Sequence, residues 1–301
     1  MKRYLWILAL ATAGVAQQAA VELTTPTLGY IFDEQARTLR AIEGVPGAAA
    51  IGNPLHLGAG LDFIALAPSR SYAFGYENGG DALVVVRLDG NAGARRSSTL
   101  PRARAWFSAS GEVAAFDLGE RAQVWGGLPD DPRRMGEFST GGHTADKLLV
   151  SDDGGMVALI AGGELFRLTP ESAERLGQGI RDAAFQRGTR DLLALEGGRL
   201  IRFVKAEAEA EETVLTGFEE AVVFAISRDQ KQVVVAGAEI LVADLRTGQA
   251  ARMEAGETRF DAVARAEGDA VFQLHALNGE TWLLDADSAP RLQSLAARGN
   301  Q

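Results

Sequence analysis

The sequence predicts an all-β chain built from one repeated unit, and three observations carry that reading. A strand–turn–strand pattern recurs at a spacing near 40 residues, which points to a repeat architecture before any single residue has a role. The stretches between turns are short apolar runs rich in valine, isoleucine and leucine, bounded by polar turn residues. The 35 glycines suit many tight turns better than long helices. The clearest copy is Val222 to Met253, VVFAISRDQKQVVVAGAEILVADLRTGQAARM, which reads as four short strands. Four antiparallel strands in about 40 residues is the size of one β-propeller blade. The expected fold is therefore a single β-propeller of four-stranded antiparallel blades.

In chain order, residues 1–16 read as a secretory signal peptide. Lys2 and Arg3 supply a positive start, Tyr4 to Ala13 an apolar run, and Gly14-Val15-Ala16 a small-residue cleavage site. The apolar run is well short of the roughly 20 residues that span a bilayer, so no stable membrane anchor is expected. Cleavage near Ala16 leaves a propeller domain of residues 17–301 in the periplasm or outside the cell. With no cysteine in the chain, neither lipid attachment at a thiol nor a disulfide framework is available.

The segment Gly29 to Leu39 has two readings. As a strand–turn–strand with Asp33 at the turn, it begins a first blade and makes seven in all. As an outer hairpin that pairs with the last blade, it leaves six. Seven is favoured, with Gly44 to Gly58 supplying short irregular strands. The turn then recurs at Ala67, Ser108, Ser151, Gln186, Ser227 and Arg265, with spacings of 41, 43, 35, 41 and 38. Second hairpins follow at Leu83 to Leu88, Glu164 to Leu168, Arg199 to Val204, Ile240 to Leu245 and Thr281 to Asp285. The run Lys205 to Glu212, KAEAEAEE, lacks β-branched residues and reads as an exposed loop or short helical excursion.

The segment Phe224 to Ala236, FAISRDQKQVVVA, resembles the SPDGK-type turn between two strands of bacterial WD40-like and YVTN-type propellers. Ala243-Asp244-Leu245-Arg246-Thr247-Gly248 is similar to their D-L-x-T-G hairpin. The histidine and Trp-Asp signatures of eukaryotic WD40 blades are absent. The resemblance implies a secreted bacterial repeat protein of propeller fold, in which loops around the channel bind a partner.

Charge excludes some partners. The net charge is −10 for the whole chain, and −12 once Lys2 and Arg3 are removed. An acidic surface repels phosphate backbones, and the arginine pairs at 95–96 and 133–134 are isolated, so no nucleic-acid partner is expected. The three histidines, His56, His143 and His275, have no metal-ligand spacing, and no metal or other cofactor is expected. The turn Ser151-Asp152-Asp153-Gly154-Gly155 places its aspartates side by side rather than alternating, so it reads as a β-turn and not a calcium loop. No phosphate-binding glycine loop, dinucleotide fingerprint or nucleophile elbow is present.

Aligning the repeats brings out one set of polar residues just before or within the start of each inner strand: Asp62, Arg104, Asp146, Lys147, Arg181, Asp182, Glu220 and Asp261. In a propeller these would gather from different blades at one channel mouth, where they could bind a protein or a small polar ligand. His143, in the inter-blade loop Gly141-Gly142-His143-Thr144, is a further candidate. The expected function is a non-catalytic binding module. A propeller enzyme of lactonase, hydrolase or lyase type, and a structural envelope subunit, are the alternatives.

Overall fold

Runs such as Val157–Ala161 and Gln232–Gly237 are apolar at successive positions, not at every second one, which is the mark of a strand covered on both faces. Each sheet must therefore be sandwiched between two others. The computed structural model shows this arrangement: the described residues form seven antiparallel sheets packed face to face around a central channel. It describes residues 25–295, apart from 34–35, 58–60, 78–82, 89–92, 98, 207–210, 219 and 288. The signal-peptide segment lies outside the described residues.

Six sheets have four strands in sequential order, and the first has three, Thr27–Asp33, Thr38–Glu43 and Ala50–Pro54. The hairpin reading of the N-terminal segment does not hold, because Thr27–Asp33 pairs with Thr38–Glu43 and heads a blade of its own. The inner strands of blades two to seven are Leu61–Leu66, Ala105–Phe107, Lys147–Val150, Ile180–Phe185, Ala221–Ile226 and Phe260–Arg265. Five of the turn positions match the repeat. The sixth moves by one residue: the amide of Ala266 bonds the carbonyl of Val271, as Ser227 does with Gln232, so Ala266 and not Arg265 is the turn residue of blade seven. The segment after Phe203 makes a single 3-10 turn, Val204–Ala206, and Glu211–Thr216 forms the outer strand of blade five.

The core is divided into seven apolar slabs, one at each joint between blades. Leu148 and Val150 pack with Val113, Ala115 and Val124 of blade three, while the intervening Leu149 packs with Ala183, Phe185 and Leu192 of blade five. Alternation along the strand thus serves two neighbours at once. At the joint of blades seven and one, Leu28, Ile42 and Ala49 pack with Ala266, Val271, Leu283 and Leu295. The amide of Glu267 donates to the carbonyl of Leu28 at 2.6 Å, and the Gln293 side chain donates to the carbonyl of Ala49 at 3.1 Å. The ring closes by packing, without a shared strand among the described residues.

Candidate functional site

The inner strands of all seven blades enclose a channel of about 1230 Å³. The half-buried Phe32, Trp106 and Phe107 line it together with polar and charged groups, while the rings of Phe185 and Phe224 are buried in the inter-blade slabs. The two ends differ. The inner strands begin at one end, with Lys147, Asp261 and Glu280 among the lining residues, and turn back at the other, with Arg70, Gln230 and Arg265.

At the strand-start end, five blades carry a β-bulge. Register shifts fall between Thr27 and Gly29, Leu61 and Phe63, Ile180 and Asp182, Ala221 and Val223, and Phe260 and Ala262. The extra residue is Leu28, Asp62, Arg181, Val222 or Asp261, so three of the candidate residues occupy one equivalent position. A bulge re-aims side chains and raises local twist, which lets a strand start splay from its neighbour. Asp261 and Arg181 are exposed, and Asp261 lines the channel. The side chain of Asp62 lies outside the described residues.

Lys147 also lines the channel, and its Nζ meets Asp182 Oδ1 at 2.6 Å. Asp182 is buried, and it accepts two further hydrogen bonds, from the amide of Ala183 at 2.9 Å and of Phe224 at 3.0 Å. One carboxylate therefore ties blades four, five and six. Asp146, Arg104, His143 and Glu220 are not among the residues that line the channel. Asp146 accepts the amide of Gly162 at 2.8 Å, and the Arg104 guanidinium lies 4.6 Å from the centre of the Trp106 ring. The His143 ring stacks on Phe166 at 4.1 Å, which gives it a packing role. Glu220 lines a separate cleft of about 420 Å³ with Phe218, Glu239 and Arg252. No group of three or more metal-ligating side chains occurs among the described residues.

The turn end holds residues that the strand-start alignment does not reach. Its turns are stitched into a belt. Asp152 of blade four accepts the amide of Ser110 in blade three at 2.7 Å and of Gly188 in blade five at 2.8 Å. The amide of Arg187 donates to Gln230 of blade six at 3.0 Å, and Arg228 pairs with Glu267 of blade seven at 3.1 Å. The aspartates of the Ser151 turn thus do more than cap local groups: Asp153 caps Ser151 and Gly155, while Asp152 reaches across two joints.

Two arginines at this end break the repeat. At the fourth turn position the backbone is left-handed in four blades, with glycine in blades three and four, Gly111 (φ 82°) and Gly154 (φ 66°), but Arg70 (φ 59°) in blade two and Gln230 (φ 61°) in blade six. The residue before the turn is apolar in five blades, Leu66, Phe107, Val150, Phe185 and Ile226, and is Arg265 in blade seven. Arg265 Nη2 spans the channel mouth to the carbonyl of Ala109 in blade three at 2.6 Å. Arg70 Nη1 is shielded from solvent and has no hydrogen-bond partner. Burial, then the like charge of Arg265, holds the Arg70 guanidinium down to about 10. Burial, then Arg187 and Arg228, does the same to Arg265, also to about 10. The sequence shows no basic patch because these four arginines are spread over 196 positions (265 − 70 + 1) and meet only when the ring closes.

No protein-family model matches the chain, and no curated protein matches it in sequence. Solved structures do match. The C-terminal WD40 domain of Sif2 aligns over 92% of this chain and 90% of its own, with a TM-score of 0.54 and 12% identity. The fold is a seven-bladed propeller similar to that of a WD40 domain. A functionally unknown protein from Desulfotomaculum acetoxidans aligns over 91% of this chain and 100% of its own, with a TM-score of 0.56 and 12% identity. At that identity the likeness concerns the WD40-like ring alone, and the channel chemistry described above is this chain's own.

Proposed function

We propose that this WD40-like propeller is an exported, non-catalytic binding module whose channel receives a small polar ligand or a polar segment of a protein partner. The observation that carries the reading is the channel itself. Its volume of about 1230 Å³ is at the large end for a ligand site, and it combines aromatic walls with a few convergent charged groups from different blades. Of the strand-start charges, Asp182 is engaged in tying blades four, five and six, while Asp146 and Arg104 make contacts within their own blades. A general acid–base pair needs two free groups with separated pKa values. Export rests on the N-terminal pattern of Lys2, Arg3 and the following apolar run, and the absence of cysteine is compatible with it.

The test plugs the channel. Ala264 lines it, is exposed within it and belongs to none of the inter-blade slabs, so Ala264→Trp obstructs the lumen while leaving the slabs intact. Immobilised wild-type protein, incubated with envelope extract, is expected to retain a defined component that is recovered chemically unchanged. The plugged variant, folded by circular dichroism, is expected to lose it. Equal retention by both proteins, or conversion of the retained component, overturns the reading.

A further inference from the structure

We propose that Arg70 and Arg265 form an oxyanion-binding site at the turn end of the channel, one that takes the carboxylate or phosphate group of a small ligand. The inference deepens the reading of the channel as a binding site and rests on it. Four observations converge. First, Arg265 stands where five other blades have an apolar side chain, and Arg70 puts a cation at a left-handed turn position that is glycine in blades three and four and Gln230 in blade six. Departures from a local rule that carry a cost mark functional positions. A left-handed arginine is such a cost, because its Cβ crowds the backbone where glycine has none.

Second, space has been left for the Arg70 guanidinium. A Cβ on Gly29 in the inner strand of blade one would lie 2.6 Å from Arg70 Nη1 and 3.2 Å from Gln273 Oε1. Arg70 thus reaches from blade two over the bare backbone of blade one toward blade seven. Third, Nη1 is buried without an acceptor, and a buried donor left unpaired is costly. Fourth, two cations line the same end of the channel, where the charge of Arg265 disfavours that of Arg70, and no carboxylate among the described residues makes an ion pair with either. Glu267 is paired with Arg228, and Asp152 is held by two backbone amides. An oxyanion between the guanidinium groups would supply the missing acceptor and relieve the repulsion. The forked donors of arginine suit the paired oxygens of carboxylate and phosphate. Arg265, with one of its five N–H groups committed to Ala109, keeps the others for the ligand.

The experiment uses Arg70→Gly, the residue of blades three and four at that turn position, and Arg265→Leu, the residue of blade two before the turn. Binding is measured by titration calorimetry and thermal denaturation at constant ionic strength, with sodium phosphate, citrate or acetate as probes and chloride as the reference. Wild-type protein is expected to bind at least one oxyanion at a single site and to gain thermal stability from it. Each variant is expected to bind it at least tenfold more weakly, while melting at or above the wild-type temperature without ligand. Response to phosphate alone identifies a phosphate group, and response to citrate or acetate alone a carboxylate. Arg70→Lys, which keeps charge but loses the fork, is expected to recover only part of the affinity. No oxyanion binding by wild type, or undiminished binding by both variants, overturns the site. So does a fall in ligand-free melting temperature in both variants with the oxyanion response intact, which is the signature of a purely structural role. Should Arg70→Gly still retain the envelope component that the plugged channel loses, the binding-module reading survives and the oxyanion site does not.

Discussion

The Asp182 carboxylate accepts the backbone amide of Phe224 at 3.0 Å, so a side chain of blade five closes a hydrogen bond that the bulged inner strand of blade six leaves open. Its other oxygen holds Lys147 of blade four. Asp182→Ala is expected to destabilise the fold by about 2–3 kcal/mol, since it strands a buried amide and releases a partly buried ammonium. Asp182→Asn keeps an acceptor for Phe224 and is expected to cost about half as much. Urea denaturation of the two variants checks the order, and equal losses would show that the Phe224 bond contributes little.

Tyr72 is expected to be the main polar tie between blades two and three. Its ring is fully buried against Phe74 and Phe107, and its hydroxyl donates to the carbonyl of Gly111. Burial raises the phenol's pKa far above the ordinary range, so the group stays a donor throughout the accessible pH range. Tyr72→Phe keeps the packing and deletes one bond, for an expected loss of about 1–2 kcal/mol in thermal or chemical unfolding.

Acid is expected to loosen the turn belt. Burial raises the carboxyl of Asp153, but the Ser151 hydroxyl, the Gly155 amide and Arg190 outweigh it and lower the group from 3.8 to about 2. Asp152 and Asp229 are lowered in the same way by their turn hydrogen bonds. A depressed carboxylate stabilises the fold fully above its unfolded value, and the contribution is lost as pH falls from about 4 toward 2. Asp153→Asn is expected to flatten stability over that window and to leave it unchanged in form between pH 5 and 8. Denaturant titrations at stepped pH read both.

His275 acts in a different window. Its ring, between Gln273 and Thr281, is held below its usual value of 6.5, first by burial, with Arg70 adding to the effect and Asp261 opposing it. The folded protein therefore resists protonation that the unfolded chain accepts, and stability declines as pH drops below about 6.5. His275→Asn is expected to remove that slope between pH 6.5 and 5, measured by the same titrations. A slope that persists would assign it to another group.

Repetition made the ring legible and asymmetry hid the site. The turn residues Ala67, Ser108, Ser151, Gln186 and Ser227 can be read directly, because each precedes an apolar strand at a near-constant distance. Alignment on those turns also placed Asp62 and Arg181 in register, though not the bulge that they share with Asp261, which falls into register only once Ala266 replaces Arg265 as the turn residue. Asp182 looked like one more exposed strand start, since nothing local reveals that Lys147 and Phe224 will surround it. Arg70 and Arg265 are hidden for a simpler reason. The features that the repeats share mark turns and strands, whereas Arg265 is informative as an exception, an arginine in a hydrophobe's place, and Arg70 sits at a turn position that other blades fill with glycine or glutamine. Their nearness depends on ring closure, which no stretch of chain encodes by itself.

The joint between blades seven and one has a mechanical consequence. Elsewhere around the disc the backbone itself passes from one blade to the next, but no backbone among the described residues links the last sheet to the first, and the first is a strand short. The molecule is in this respect a split washer, sprung together by Leu28, Ile42, Val271 and Leu283. Arg70 lies across the cut, over Gly29 on one side and beside Gln273 on the other. An anion seated there would act as a clasp, drawing the two ends of the washer together, and amide exchange in Thr27–Asp33 and Phe260–Arg265 would slow when it is fastened.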